Sequence, residues 1–454
     1  MDISSPLGGG KFKPIIKEII NAEREPIRQI EARKAKENDR LKLVQDFQTK
    51  VRKLPELLRE LESFNKFREL KADWPAKDIM DVSVDKEFAM PGEYEIEVVQ
   101  LAGRHSMISD GYESVDDEVG IGVFSYSLPN GESRSVFVGP SNNTLRGLAN
   151  LINQEKDLNL QASVINDGSG SDQPWRIVVT SKKSGIDNDT EFPEFYFLDG
   201  DFRFYADDER SAQNAIVKFN GFEIMSPSNK FELLPGVTLD LLQAKEDYEF
   251  TLSITEDTKK IAGKVKALVD SINEVLEFIN KQNQLDAHSD TSRTLGGDTT
   301  LFAIESQVRN AILANYQVEE EDEDIRLHLS DVGVQFEKTG LLKFNEDKFK
   351  RQMDKNFDQV ASLFATPGNF VERAKNMADG FLRPEYGVIS SRERGIRERI
   401  KKMDDEIIQR EDRLDKREKS LKRQFAQLEG LIGSSQGQQA FLQQALGGTG
   451  QITV

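Results

Sequence analysis

Apolar residues near the start of the chain recur at the spacing of a coiled-coil seam. They step alternately by three and four positions. The members of this first seam are Val44, Phe47, Val51, Leu54, Leu58 and Leu61. This spacing places one apolar stripe along a helix and predicts that the stripe packs against other helices. Pro55 lies within the seam, and because an interior proline removes a backbone hydrogen bond, we expect a kink or break just before it.

Two later segments repeat this pattern. The second seam contains Ile261, Val265, Leu268, Ile272, Val275 and Ile279. The third extends over residues 388–432 and contains Ile396, Ile400, Met403, Ile407, Leu414, Leu421 and Leu428, with Arg410 and Arg417 at seam positions. A helix of that length would span roughly 65 Å and, being so polar, would be only marginally stable alone in water. We therefore expect the three segments to pack together as an antiparallel stalk, with both arginines reaching outward over the seam.

Between the first two seams the period changes to the apolar–polar alternation that is typical of β-strands. Short runs such as "WRIVVTS" and "YEFTLSI" are separated by glycine, proline, asparagine and aspartate. Residues 144–155 are the exception, because their leucines recur at helical spacing. The sequence therefore predicts an α+β multidomain fold. A helical coiled-coil stalk or leg, built from both chain ends, carries inserted antiparallel β-rich head domains.

The predicted domain boundaries follow these changes of period. The two termini are predicted to be a flexible arm that orders on assembly, residues 1–40, and a disordered tail, residues 433–454. The ranges between them are a helical stalk at 41–83 and 256–432 with a small β-hairpin near 327–344, a β-rich head subdomain at 84–110 and 206–255, and an inserted second β-rich subdomain at 111–205.

The charge of the chain narrows the classes of partner. The 454 residues carry a formal net charge of −18, which repels phosphate backbones and anionic membrane surfaces. We therefore expect no nucleic-acid partner. No uncharged apolar run approaches the length of a transmembrane helix, and the first twenty residues contain no run typical of a cleavable signal peptide. We expect no membrane insertion.

Residue types that build common catalytic and metal sites are scarce. The chain has no cysteine, and its three histidines, His105, His288 and His328, lie far apart in the sequence. Neither a Gly-x-Ser-x-Gly nor a His-Glu-x-x-His motif is present. The sequence therefore predicts a protein that is not an enzyme and that needs no metal or cofactor.

Three oxygen-rich segments could in principle hold a cation. Residues 166–173 and 187–191 lack the spacing of aspartate, glycine and terminal glutamate that defines a calcium-binding loop. We expect ordinary turns at both. The acidic run at 319–324 is expected to be a solvated loop.

Several segments, in order along the chain, carry a family resemblance. Near the N-terminus, "IIKEIINAEREPIRQIEARKA" is followed by the strand "YEIEVVQLAGRHS". The longest segment begins at "AIVKFNGFEIMSPSNKFELLPG" and continues to "DTKKIAGKVKALVDSINEVLEFI". Together they resemble the flagellar filament cap protein family, also called the flagellar hook-associated protein 2 family. The chain departs from the family's Gly-Leu-Asp opening and reads "PLGGGKFKP" instead.

The resemblance implies a structural protein at the distal tip of the bacterial flagellum, extracellular and exported without a cleavable signal peptide. Roughly four to six copies would form a homo-oligomeric cap that promotes the folding and insertion of exported flagellin and prevents its loss. The implied partners are other copies of the chain, flagellin, hook-filament junction proteins and a dedicated export chaperone. Phe441, Leu442 and Leu446 would contact the chaperone or the filament.

Two other functions compete with this interpretation. A tip adhesin would bind a host or prey surface through the β-rich head, with the stalk only displaying it. A secreted glycan hydrolase would require a pair of carboxylates in a cleft of the head. Loss of filaments in a deletion strain would favour the cap. Lost attachment with normal filaments would favour the adhesin. Turnover of a glycan by the purified head would favour the hydrolase.

Overall fold

The computed structural model describes residues 12–127, 132–189, 192–198, 206–284, 294–320 and 323–447. The chain divides into a helical unit, which combines Met1–Phe67 with Lys259–Val454, and a head unit, Arg68–Thr258. Helices therefore come from both chain ends and antiparallel sheets lie between them in the sequence, which confirms the predicted fold class. Within the described ranges, no helix combines the length and the apolar character that crossing a membrane requires.

The helices, in chain order, are α1 (Lys13–Glu23), α2 (Glu25–Arg59), α3 (Phe64–Phe67), α4 (Leu145–Gln154), α5 (Thr258–Asn283), α6 (Thr299–Leu313), α7 (Glu346–Lys355), α8 (Phe357–Ala365), α9 (Phe370–Leu382) and α10 (Val388–Gly447).

The strands are β1 (Leu70–Asp73), β2 (Met80–Val84), β3 (Gly92–Gln100), β4 (Ser106–Ser109), β5 (Gly122–Ser127), β6 (Ser133–Val138), β7 (Leu160–Asn166), β8 (Trp175–Ser181), β9 (Glu194–Phe197), β10 (Ala206–Arg210), β11 (Ala215–Phe219), β12 (Phe222–Ser226), β13 (Lys230–Leu234), β14 (Val237–Leu241), β15 (Phe250–Glu256), β16 (Tyr316–Glu320), β17 (Glu323–Leu327), β18 (Val334–Phe336) and β19 (Leu342–Phe344).

The core of the helical unit joins the first two predicted seams. Every apolar residue of both seams is buried in one cluster, which also includes side chains of α6, α8 and α9. The rings of Phe47 in α2 and Phe278 in α5 stack with centroids 5.0 Å apart. Burial of this much apolar surface, rather than intrinsic helix propensity, holds the long helices in place.

Pro55 does not break the helix, so the expected break before it is absent. α2 continues through it to Arg59. Proline removes only the hydrogen bond to the carbonyl of Val51, and the helix ends one turn later. The neighbouring Leu54 and Leu58 are buried on both sides of Pro55, so the packed core keeps the last turn helical.

The base of the head unit is built from two antiparallel sheets. Their strand orders are β1-β15-β3-β11-β12 and β13-β14-β2. Apolar side chains of both sheets, among them Ile96, Val217 and Leu239, form one buried cluster. We call this part, residues 68–103 and 213–258, the base. A tight turn at Asn220 and Gly221, both with positive φ, joins β11 to β12.

An inserted subdomain, residues 106–210, separates β3 from β11. It contains the sheets β10-β4-β8-β7 and β6-β5-β9 and the helix α4. The side chain of Thr144 caps α4 by accepting a hydrogen bond from the Gly147 N–H. Phe124, Leu148 and Val179 are fully buried in a core of its own. The inserted subdomain is therefore a second small β-rich body within the head unit.

The observed elements differ from the predicted domain boundaries at both ends. Residues 13–40, predicted to be a flexible arm, are helical, whereas 1–11 lie outside the described residues. The final helix, predicted to end at 432, continues to Gly447. The head begins at Arg68 rather than at 84, because β1 and β2 are too short to show a period of their own.

The described residues of the acidic run at 319–324 lie in paired strands of a hairpin, whereas a loop was expected. These strands are β16 and β17, which pair antiparallel. Tyr316 and Val318 are buried and Ile325 packs against the core of the helical unit, so apolar contacts hold the acidic strands in place. The hairpin that was predicted near 327–344 is present as β18 and β19.

Candidate functional site

The two chain ends pair side by side as antiparallel helices. Contacts between them show the antiparallel direction, because residues progressively earlier in α2 and α1 contact residues progressively later in α10. The pairs are Gln45 with Glu393 at 3.2 Å, Glu37 with Arg399 at 2.9 Å, Lys34 with Asp404, Glu23 with Arg417 at 3.4 Å, and the stacked rings of Phe12 and Phe425 with centroids 5.1 Å apart. We call α1, residues 25–43 of α2 and residues 396–447 of α10 the leg.

A thin apolar seam holds the leg together. Ile16, Ile27 and Ile30 are buried on the N-terminal side of it. On the α10 side, Ile396, Leu414 and Leu421 are buried, and Ile400, Met403 and Ile407 are half-buried. The contribution of exposed ion pairs to stability is small, because water screens them and ordering the side chains costs entropy. Because the seam combines few buried apolar side chains with such ion pairs, it stabilises the leg less than the core around Phe47 stabilises the rest of the helical unit.

The sequence analysis missed the α1 and α2 side of this seam, since charged residues interrupt it. Seam positions 27, 30, 34, 37, 41 and 44 step by three and four, but positions 34 and 37 are lysine and glutamate. Both reach across to α10 in ion pairs. The alternate spacing of Ile27, Ile30 and Leu41 was the available signal.

The two seam arginines of α10 lie at the surface, as expected. Arg410 pairs with Glu406 on its own helix at 2.7 Å, and Arg417 with Glu23 of α1. Both side chains therefore avoid the apolar contact between the helices. Near these two arginines, Leu414 and Leu421 are the buried apolar side chains that α10 contributes to the seam.

A groove lies between the N-terminal part of α1 and residues 418–429 of α10. Phe12, Ile16, Ile20 and Phe425 line its apolar floor, and its volume is about 550 Å³. Lysines 13, 17 and 422 and glutamates 418 and 429 surround this floor.

Beyond Phe425, no element within the described ranges covers α10. Its apolar side chains are exposed in Leu428, Leu431, Ile432, Phe441 and Leu442. Of the predicted contact residues, Phe441 is 71% exposed and Leu442 55% exposed, while the side chain of Leu446 lies outside the described part. We call residues 428–447 the uncovered end of the leg.

The uncovered end also differs from the rest of α10 in composition. Residues 430–447 carry no charge, and Gly430, Gly433 and Gly437 lie within them. Each glycine inside a helix costs about 1 kcal/mol relative to alanine. This segment therefore exposes large apolar side chains and is intrinsically weak as a helix, a combination that favours ordering by a partner.

The junction after α2 supplies a testable electrostatic contact. Hydrogen bonds from Lys375 in α9 and from Lys66 lower the pKa of the Glu62 carboxyl to about 2. Because the folded pKa is depressed, this contribution is present above pH 4.5 and is lost as the pH falls toward 2. We therefore expect Glu62→Gln to reduce the loss of thermal stability of the full chain on acidification from about pH 7 to about pH 3.

The control for this prediction is Glu60→Gln. Glu60 is exposed and has no recorded ion pair in the described ranges. Its variant should lose as much stability on acidification as the original chain. Equal acid sensitivity of Glu62→Gln and the original chain would contradict the role of Glu62.

Oxygen-rich segments in the inserted subdomain form turns. Asn166 and Asp167 accept hydrogen bonds from the N–H groups of Gly168 and Ser169, as predicted for 166–173. In the segment 187–191, residues 190–191 lie outside the description. Among the residues that are described, no three histidine, aspartate or glutamate side chains are grouped to hold a metal ion.

Comparisons with known proteins point in one direction. Family models described as the N-terminus and the C-terminus of flagellar hook-associated protein 2 match residues 9–105 and 212–437. Between the two matches lie residues 106–211, which correspond to the inserted subdomain. Apart from residues 1–8 and 438–454 at the two ends, this subdomain is the segment that the family models leave unmatched.

Individual relatives and a solved structure agree with these matches. Flagellar hook-associated protein 2 of Xenorhabdus nematophila is 25% identical over 433 residues, covering 85% of this chain and 86% of the relative. The B-type protein of Pseudomonas aeruginosa is 24% identical over 401 residues, with 82% of each chain covered. The D1-D2-D3 domains of the Escherichia coli flagellar cap protein FliD superpose with a TM-score of 0.57 at 20% identity, covering 78% of this chain and 99% of that one. The last likeness shows a shared fold.

Proposed function

Because the chain belongs to the flagellar hook-associated protein 2 family, a family of flagellar cap proteins, we propose that it forms a homo-oligomeric cap at the distal end of the filament. The cap promotes the folding and insertion of exported flagellin and prevents its loss. Membership of this family supports a structural rather than a catalytic role. The observation that carries the proposal is the uncovered end of the leg.

The uncovered end suits repeated docking onto helical partners. Its exposed leucine, isoleucine and phenylalanine side chains offer an apolar stripe of the kind that marks interaction sites. Its glycines make the isolated helix weak, so part of the binding free energy is spent on ordering the segment. Binding of this kind is specific yet readily reversed, as a cap that moves with a growing filament requires.

Several partners follow from the proposal. Roughly four to six copies of the chain form the cap, and the legs contact flagellin and the hook-filament junction proteins. Before export, a dedicated chaperone covers Phe441, Leu442 and Leu446. The chain is exported to the filament tip, and because it contains no cysteine, no disulfide within it hinders passage of an extended chain.

A deletion strain tests the proposal. Cells that lack this chain should bear no full-length filaments and should release flagellin into the medium. Filament length is measured by electron microscopy and released flagellin by immunoblot. The full chain supplied in trans should restore both. Normal filaments in the deletion strain would refute the cap function.

One feature of the inserted subdomain supports the adhesin as a second candidate. Phe137, Val123 and Tyr196 form a cross-strand row on the outer face of the sheet β6-β5-β9. The two aromatic residues are 58% and 54% exposed. A double Phe137→Ser, Tyr196→Ser variant that builds normal filaments but attaches poorly to a surface would support the adhesin. Unchanged attachment would exclude this face.

A further inference from the structure

The inserted subdomain joins the base through a narrow neck of two paired segments. The chain leaves the base at Gly103 and returns at Gln213, and these two residues form an isolated β-bridge. Just inside the inserted subdomain, Ser106 of β4 pairs with Arg210 of β10. Any change in how these segments are held would alter the position of the inserted subdomain relative to the base.

A buried histidine lies at this neck between two carboxylates. The Nε2 atom of His105 is 2.6 Å from Oε1 of Glu209, which lies on β10. On the other side of the ring, Nδ1 is 2.8 Å from Oδ1 of Asp189, although that contact is not aligned as a hydrogen bond. The histidine side chain is only 7% exposed. The ring of Phe192 contacts the imidazole edge-on, with centroids 4.3 Å apart.

Hydrogen bonds of Asp189 and Ser181 connect further segments of the inserted subdomain to the neck. The carboxylate of Asp189 also accepts a hydrogen bond from the Ala212 N–H, at 3.1 Å, on the returning segment of the neck. The His105 backbone N–H donates to the hydroxyl of Ser181 at 3.1 Å, and its carbonyl accepts from the Ser181 N–H. His105 therefore connects β4, β8, β10 and the turn that ends at Asp189.

The two carboxylates interact differently with the neutral and the charged form of the ring. A neutral imidazole carries one N–H and one lone pair, whereas the imidazolium carries an N–H on both nitrogens. With carboxylate oxygens close to both nitrogens, the neutral form would direct a lone pair at a negative oxygen. Within the described ranges, Asp189 and Glu209 are the charged groups recorded within ion-pair distance of the ring, and neither has a recorded lysine or arginine partner.

We propose that His105 is held as an imidazolium and acts as a proton-dependent clamp on the neck of the inserted subdomain. Loss of its proton removes the attraction to one carboxylate and leaves that carboxylate without a cation. The paired segments of the neck then loosen, and the inserted subdomain samples a wider range of positions relative to the base. The cap function neither requires nor assigns this role.

Pulsed electron paramagnetic resonance on the full chain tests the clamp. Because the chain has no cysteine, Ser133→Cys in the inserted subdomain and Thr251→Cys in the base, both exposed, accept one spin label each. The distance distribution is recorded from about pH 5 to about pH 9. In parallel, nitrogen NMR of labelled histidine reports when each ring nitrogen loses its proton. We expect one narrow distribution while both His105 nitrogens are protonated, and a broad one after the proton is lost.

Three variants separate the clamp from a general effect of pH. His105→Gln should give the broad distribution at every pH, whereas His328→Gln, which changes an exposed histidine of the helical unit, should follow the original chain. Glu209→Gln keeps the histidine and should broaden the distribution at a lower pH than in the original chain. A neutral His105 throughout, a pH response retained in His105→Gln, or an unchanged profile in Glu209→Gln would each overturn the proposal.

Discussion

Replacing Phe47 with alanine is expected to lower the free energy of unfolding of the helical unit by about 3–5 kcal/mol. Phe47 is 2% exposed and stacks on Phe278, where the first two seams meet. The substitution removes a ring from a closely packed core that cannot fully collapse around the cavity. Guanidinium unfolding of the full chain, followed by helical circular dichroism, measures the change.

Phe302→Ala is the matched control for this prediction. Phe302 is also a helical phenylalanine of the same unit, but it is 71% exposed. The same deletion of a ring should therefore change stability by no more than about 0.5 kcal/mol. Similar losses in the two variants would mean that the contact between α2 and α5 does not form the core of the helical unit.

Replacing the apolar side chains of the uncovered end with serine is expected to abolish filament growth without unfolding the chain. The variant combines Leu431→Ser, Ile432→Ser, Phe441→Ser and Leu442→Ser. All four side chains are exposed, so their removal costs little folding free energy. It does remove the stripe through which we propose that the leg docks. Filament counts and released flagellin, in a deletion strain that expresses the variant, give the result.

Leu313→Ser tests whether exposed leucine matters in general. Leu313 ends α6 and is 59% exposed, but it is not part of the leg. Cells with this variant should build normal filaments. Circular dichroism should give the same thermal transition for both variants as for the original chain. Normal filaments with the fourfold variant would show that the uncovered end is not the docking surface.

The helical unit was the more predictable half of the molecule because its signal is local. A strict alternation of three and four positions fixed the buried face of α2 around Val51 and of α5 around Leu268. In the leg, ion pairs of Lys34 and Glu37 replace apolar contacts, so the apolar spacing alone did not predict the seam between α2 and α10. Leu428 follows the pattern yet is exposed, because spacing alone does not reveal where the partner helix ends.

In the head unit, the sequence predicted strands but not how they pair. "WRIVVTS" and "YEFTLSI" correspond to β8 and β15. The order of strands within each sheet depends on contacts distant in sequence, which leave no local period. Strands of four or five residues, such as β1 and β10, are too short to show alternation, and the clamp around His105 joins residues more than eighty positions apart.

Because α1 pairs with α10, the leg and the head unit cannot fold at the same stage as the chain emerges. Contacts of such large sequence separation carry a high loop-closure entropy and form late. The described strands of the head unit pair only with one another, so their partners are all available once the chain reaches Thr258. The leg must wait for the C-terminal helix. A chain emerging from its N-terminus onward therefore presents a finished head while α1 and the start of α2 still lack their partner.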